Sequence, residues 1–422
     1  MSRALNEPDT SAAARFKQLK SQAQAAWDSD PRALAKHANE MVRIGHDQGE
    51  REFVAIGLRF LGVAYQYLNE SVQALSYALE ALELFQQLEN YRQVAAVQIE
   101  LGVLYSALGD YVQAVDYFEQ SIATSKDIGS RGGRLASLQN LAHLHRKLCN
   151  FDTSLSYCLE SLDIAREIQD FENEAQALNI EAELRMLIAQ NHLTRGETDA
   201  AVQQFDQAGK ALETAYCTVR ELQNAHSVSI ETLIVYANFN TSQNDLERAS
   251  ELISDALEVA QRSGSPGELA RCLQSLGNLH VQRGELREAR QHLERAQQIF
   301  AEQQMKADLA QSHRELSSVL KTSGDFALAL EHFEQFHDLD ANLRSAAAEH
   351  RAQALAVKLD LERAKRESEL YQLRSSELTQ LNEQLQTQAR LLDRQAREDS
   401  LTGLAESPSS RGVRVRGVCP CA

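Results

Sequence analysis

The chain has 422 residues, 24% of them charged and 6% aromatic, and 43 Lys and Arg against 60 Asp and Glu leave a formal net charge of −17. That balance argues against a nucleic-acid partner, because phosphate binding draws on clustered Lys and Arg. No run of about 18 apolar residues is present to cross a membrane. Only 5 prolines interrupt a sequence dominated by Ala, Leu, Gln and Glu, so nearly all of it is expected to be helix.

Residues 1–14 (MSRALNEPDTSAAA) carry no apolar stretch of the kind that directs export. They are expected to be disordered, and the protein cytoplasmic. Cys149, Cys158, Cys217 and Cys272 fall singly where helices are expected, which suits small buried hydrophobes. Cys419-Pro420-Cys421 lies in a tail discussed below, and no metal site is expected there.

An internal period organises residues 15–342. Leu61-Gly62-Val63-Ala64-Tyr65 aligns with Leu101-Gly102-Val103-Leu104-Tyr105, with Leu141-Ala142-His143-Leu144-His145, and with Leu276-Gly277-Asn278-Leu279-His280. The small residue recurs every 40 positions, at 62, 102, 142 and 182 and again at 237, 277 and 317. A turn follows, as in Gly109-Asp110, Gly284-Glu285 and Gly324-Asp325, and then an Ala, at 114, 201, 249, 289 and 329. This pattern resembles the tetratricopeptide repeat, in which each unit is a helix A, a tight turn and a helix B. The resemblance implies an all-α superhelix of about eight units. Counting back 40 from Gly62 puts the first small position at Gln22, with Asp30-Pro31 starting the helix after it.

One unit, at 172–226, is enlarged. Ala182 and Ala237 stand 55 apart, and the seven and eight extra residues each amount to about two helical turns. The expectation is a longer hairpin.

In tetratricopeptide superhelices helix A lines the concave face, at positions three before, one after and four after the small residue. Carried onto this chain, that gives Arg59 and Gln66 in one unit, and His143 and Arg146 two units on, with Asn140 beside them. Asn179 and Glu183, Asn238, Gln274 and Asn278, and Arg314 follow in later units. The implied partner is a protein or an extended peptide, whose backbone the Asn amides could bond as both donor and acceptor. His143 and His145 face different ways on a helix and make no metal site. Arg131-Gly132-Gly133-Arg134 is placed in a turn between units, too short for a phosphate loop. No Ser-His-Asp or Cys-His arrangement is found, so no catalytic residue is assigned.

From Asp325 no stop signal precedes Leu343, so the last helix B is expected to run on into a long coiled-coil helix over 343–398. Its seven-residue seam includes Val357, Leu361, Tyr371, Leu378, Asn382, Leu385 and Leu392. Leu at d with Asn382 at a favours a parallel homodimer in fixed register.

The helix leads to Asp399-Ser400-Leu401-Thr402-Gly403-Leu404. This string resembles the D-x-L-T-G-L start of GGDEF domains, the diguanylate cyclases, which follow dimeric signalling helices. Asp399, Leu401, Thr402, Gly403 and Leu404 match, and Asp with Thr-Gly is expected to stop the helix and act as a signalling hinge. Residues 399–405 therefore read as the remnant of such a domain. The next family residues, Asn-Arg-Arg, are replaced by Glu406-Ser407-Pro408, a change that one inserted base would produce. Residues 406–422 are expected to be a disordered, out-of-frame tail.

The family's GG[DE]EF signature does not occur, so this chain is expected not to be an enzyme and to need no cofactor. Mg²⁺ and GTP would enter only with a catalytic domain in a longer parent. The expected function is the sensory half of a cyclic di-GMP signalling protein. Two alternatives stand beside it: a full-length parent that is an active diguanylate cyclase, and a free-standing peptide-responsive adaptor.

Overall fold

The computed structural model describes the backbone of residues 10–27, 30–68, 70–222 and 226–402. Side chains are described for all of these except 10, 11, a scatter of positions between 347 and 372, and 395–402. Among the described residues there are sixteen helices and no strand. The array opens with α1 (Thr10–Ala25), α2 (Pro31–Gln48), α3 (Arg51–Tyr67), α4 (Ser71–Gln87) and α5 (Tyr91–Leu108). It continues through α6 (Tyr111–Asp127), α7 (Arg131–Lys147), α8 (Phe151–Glu167), α9 (Phe171–Thr194) and α10 (Thr198–Glu221). Then come α11 (His226–Ser242), α12 (Leu246–Ser263), α13 (Pro266–Arg283), α14 (Leu286–Glu302), α15 (Lys306–Ser323) and α16 (Phe326–Thr402). No described helix is both long and apolar enough to cross a membrane.

Helix starts fall 20 residues apart from α2 to α9 and again from α12 to α16, half the repeat read from the sequence. One joint geometry accounts for this. At most joints the first or second residue after the helix turns left-handed, as at Gly109 (φ 75°), Cys149 (φ 59°) and Gln169 (φ 58°). The next N–H then reaches back to a helix carbonyl, Asp110 to Tyr105 at 2.9 Å and Asp170 to Ala165 at 2.9 Å, which satisfies a group the helix end would orphan. The same residue caps the following helix. Asp110 accepts from the Gln113 N–H, Asp170 from Asn173 and Asp245 from Arg248.

The small positions let helix A meet helix B. A Cβ on Gly102 would stand 2.5 Å from the Phe118 ring, and one on Gly277 2.7 Å from Leu293 Cγ. At Ala142 and Ser317 a hydroxyl bridges the gap instead, Ser154 Oγ donating to the Ala142 carbonyl (2.6 Å) and Ser317 Oγ to that of Ala329 (2.7 Å). One turn on, rings stack across each hairpin: Tyr65 on Tyr77, Tyr105 on Tyr117 and His145 on Tyr157, each pair 5.4 Å apart. The Ala residues after the turns, 114, 201, 249 and 289, are fully buried.

The structure corrects four local expectations. Helix α1 begins at Thr10, inside the segment expected to be disordered. Gln22 is exposed and Ala23 is the buried small residue, because the α1–α2 joint is longer than the others and the count of 40 slips by one. Arg131-Gly132-Gly133-Arg134 is the first turn of α7, with Ser130 as its cap, and a Cβ on Gly133 would collide with Ser125 Oγ at 2.4 Å. Cys149 lies outside a helix, exposed at a left-handed joint, and Cys217 is exposed too, while Cys158 and Cys272 are buried.

Both α9 and α10 are 24 residues long, seven more than α8. The chain divides into two compact units, Met1–Leu355 and Ala356–Ala422. In the first, α16 opens by burying Ala329 while leaving Phe326 and Leu330 exposed. In the second, every described side chain from 370 to 394 is exposed, including the seam residues Tyr371, Leu378, Asn382, Leu385 and Leu392. The side chains of Val357 and Leu361 lie outside the described residues. Helix α16 passes through Asp399 and ends at Thr402. The side chains of Asp399, Leu401 and Thr402, and all of Gly403 and Leu404, lie outside the described residues.

Candidate functional site

Odd-numbered helices meet one another as well as their sequence neighbours: α3 meets α5, α5 meets α7, α9 meets α11, and α11 meets α13. Among the described residues no two even-numbered helices approach to the same degree. The odd helices, the A helices of the repeats, therefore form the inner wall of the array.

Polar pairs stitch this wall from helix to helix. Arg59 on α3 donates to Glu100 Oε1 of α5 through Nε (2.8 Å) and Nη2 (2.7 Å), and to Gln93 Oε1 through Nη1 (2.7 Å). Its guanidinium also lies 5.9 Å from the Trp27 ring, beside a cavity of about 420 Å³ lined by Lys20, Trp27, Ile56 and Phe60. Gln139 of α7 donates to Asn173 of α9 (3.1 Å), and Arg146 pairs with Glu183 (3.5 Å). Asn179 of α9 donates to Thr232 Oγ1 of α11 (2.9 Å). Arg271 and Gln274 of α13 reach Asp308 (3.7 Å) and Glu315 (2.8 Å) of α15.

The groove residues named from the sequence thus divide. Arg59, Arg146, Asn179, Glu183 and Gln274 are held within the wall, and Asn140 gives its amide to the Ala136 carbonyl of its own helix (2.8 Å). His143, Asn238 and Arg314 are exposed, and Gln66 and Asn278 half-buried. Glu100, Glu231, Thr232, Arg271 and Glu315 were missed. They stand outside the three positions the repeat pattern marks, and the only signal for them is opposite charge or amide pairing one repeat away.

Charge in the middle of the wall is strained by its surroundings. Burial pushes the Glu183 carboxyl above the usual range, with Arg146 partly offsetting it. Glu231 is raised first by burial and then by the Glu183 charge, against Arg271 and Arg146. Both carboxylates touch water along the groove, yet protein on either side thins their hydration. His143 is pushed down by burial and by Arg146, and Glu100 is raised by burial in spite of Arg59. Among the described residues no group of three or more His, Cys, Asp or Glu is placed to hold a metal ion.

Repeated helical hairpins with an inner wall of A helices define a tetratricopeptide-type superhelix. The tetratricopeptide repeat model matches residues 53–127 and 228–302, the hairpins from α3 to α6 and from α11 to α14. Among solved structures, a Rap protein complexed with Competence and Sporulation Factor superposes with a TM-score of 0.56 at 11% identity, covering 81% of this chain and 89% of that one. The apo quorum sensor NprR from B. thuringiensis gives 0.56 at 13% identity, covering 78% and 87%. The Rap conjugation gene regulator of the plasmid pLS20, in complex with the Phr* peptide, gives 0.51 at 10%, covering 79% and 96%. Similarity at this level concerns the fold: the chain carries tetratricopeptide repeats in an all-helical superhelix.

Proposed function

We propose that this protein is a peptide-responsive regulator whose ligand, an extended peptide or protein segment, lies along the inner wall of the A helices. The observation that carries the reading is that wall itself, a succession of amides, guanidinium groups and carboxylates on the A helices from α3 to α15. An extended backbone presents donors and acceptors at regular spacing, and such a row complements it. The similar structures solved with Competence and Sporulation Factor and with the Phr* peptide support the same reading. In it, α16 is the output element: a parallel homodimer forms through the seam containing Leu378, Asn382, Leu385 and Leu392, and the protein acts in the cytoplasm. The Asp399–Leu404 string favours a cyclic di-GMP output, and a full-length parent carrying such a domain would be an active diguanylate cyclase.

Sedimentation equilibrium tests the dimer. The parent should sediment as a dimer, and Leu378→Ser with Leu385→Ser and Leu392→Ser should return it to monomer. A monomeric parent overturns the output reading. Hydrogen exchange tests the groove: a bound peptide should protect α3 to α15 at odd helices, and protection confined to even helices overturns it.

A further inference from the structure

We propose that the apolar face exposed at the start of α16 is an interface between two copies of this chain, the α16 of one protomer covering on the other the place that the next A helix covers in the regular repeats. The inference rests on the parallel dimer of the output reading and extends it into the last repeat of the array.

The face stands out against its own counterparts. Tyr111, Phe151, Leu246 and Leu286 hold the station of Phe326 on earlier B helices and are half-buried, whereas Phe326 is 68% exposed. Phe118, Cys158, Ile253 and Leu293 are fully buried where Phe333 is 44% exposed, and Leu330 between the two Phe is 57% exposed. The following A helix is what covers the earlier stations, as Leu286 and Leu293 pack with Leu316 and Val319 of α15. Every other B helix ends after 17 to 24 residues and the next A helix starts within five, but α16 stays helical to Thr402. The segment after the last hairpin therefore does not fold back over it, and a repeat array with an apolar outer face needs a cap.

The register of α16 identifies the cap. Counted in sevens from Asn382 at a and Leu378 at d, Phe326 and Phe333 fall at a, and Phe336 and Leu343 at d, so the exposed face begins the same stripe as the seam. A partner aligned in parallel brings its own Phe326, Leu330 and Phe333 to the same level, and such a contact needs no second kind of surface. Ala329, the intervening d residue, is turned to α15, where its carbonyl accepts from Ser317 Oγ (2.7 Å). The contact here thus runs along a and e, the e position being Leu330. Phe333, Phe336 and His337 cluster at its lower edge with ring centroids 4.7–6.3 Å apart. Asp340, the next a residue, is paired with Arg344 of its own helix (2.7 Å), which offsets the repulsion of two facing acids.

The test uses the full chain. Phe326→Gln with Leu330→Gln changes two residues more than half exposed in the single chain, and should raise the dimer dissociation constant in sedimentation equilibrium about tenfold or more. Cross-linking gives a second readout. With Cys149, Cys217, Cys419 and Cys421 replaced by Ser, Leu330→Cys should be joined between protomers by a short bis-maleimide. Val112→Cys, still more exposed on α6, should not be. The cross-link leaves Phe326 and Phe333 in place, so it keeps the test valid if the Gln variant folds poorly. A dimer that gives no Leu330→Cys cross-link, or whose dissociation constant is unchanged in a folded Gln variant, overturns the interface and leaves the coiled-coil dimer standing. If the parent is a monomer, the dimer reading fails and the interface falls with it.

Discussion

Replacing Arg59 by Leu removes the cation from the best-buried ion pair between two helices of the inner wall. The Arg59 and Glu100 side chains are 21% and 15% exposed, and that guanidinium donates three hydrogen bonds. Losing one partner of a buried pair costs about 3–5 kcal/mol, because the other charge is left behind. Residual exposure argues for the lower end, about 3 kcal/mol. Contacts in a repeat array are local, so the loss should concentrate in α3 to α5 and leave α13 to α15 untouched. Hydrogen exchange resolved by peptide reads this directly, alongside urea unfolding.

The pH dependence has a definite sign. Burial already raises Glu100, and Arg59 is what holds it down, so the variant raises it further. A raised carboxyl favours the fold when protonated and penalises it as pH rises through the folded value. The deficit of Arg59→Leu should therefore shrink as pH falls from about 7.5 to about 5. Arg59→Leu with Glu100→Leu should recover most of the loss. A cost under about 1 kcal/mol, the range of exposed pairs, or a deficit independent of pH, refutes the reasoning.

Gly102→Ala places a methyl 2.5 Å from the ring of Phe118, itself 1% exposed and unable to swing away, so it should cost about 1–3 kcal/mol; an unchanged thermal melt would contradict this. Burial pushes the Cys158 and Cys272 thiols up to about 12, so native protein should be alkylated by iodoacetamide at Cys149 and Cys217 and spared at those two, as peptide mapping can check. His313 and His332 approach with Nδ1 atoms 3.0 Å apart, Gln297 facing the first and Glu331, Glu294 and Arg290 the second. Burial lowers both, with His332 adding to the effect on His313. Their contribution to stability is present above the unfolded value near about 6.5 and is lost as pH falls. Exchange in α15 should rise on acidification, and His332→Gln should blunt that rise.

The fold was legible where small and aromatic residues mark close approach. Gly62, Gly102, Ala142 and Gly277 announce the repeat, and Gly109, Gly284 and Gly324 announce three of its joints. Others escaped, because Glu89, Cys149, Gln169, Asn244 and Gln304 adopt the same left-handed geometry without being glycine. The 20-residue period was hidden by that difference. Of the inner wall, Arg59, Arg146, Asn179, Glu183 and Gln274 could be named from their register. Apart from the Arg146–Glu183 pair, their partners could not, since Glu100, Glu315 and Thr232 reach them only because successive A helices approach in space. Asp399 with Thr402-Gly403 was read as the stop, and since an Asp inside a helix costs only about 0.7 kcal/mol, α16 runs through Asp399 to Thr402.

The uniform joints also restrict how the array changes length. At 100° per residue, seven added residues turn a helix by about 20° short of two full rotations, so α9 and α10 each gain length while their buried faces stay aligned with their neighbours. Ala208, Leu212, Ala215 and Val219 on α10, set seven positions further from the helix start, are buried as Ser154, Cys158, Ser161 and Ala165 are on α8. An insertion of five would swing those stations by about 140° and aim them at solvent. Growth in such a stack comes in quanta of two turns, and the α9–α10 hairpin is one quantum taller than the rest.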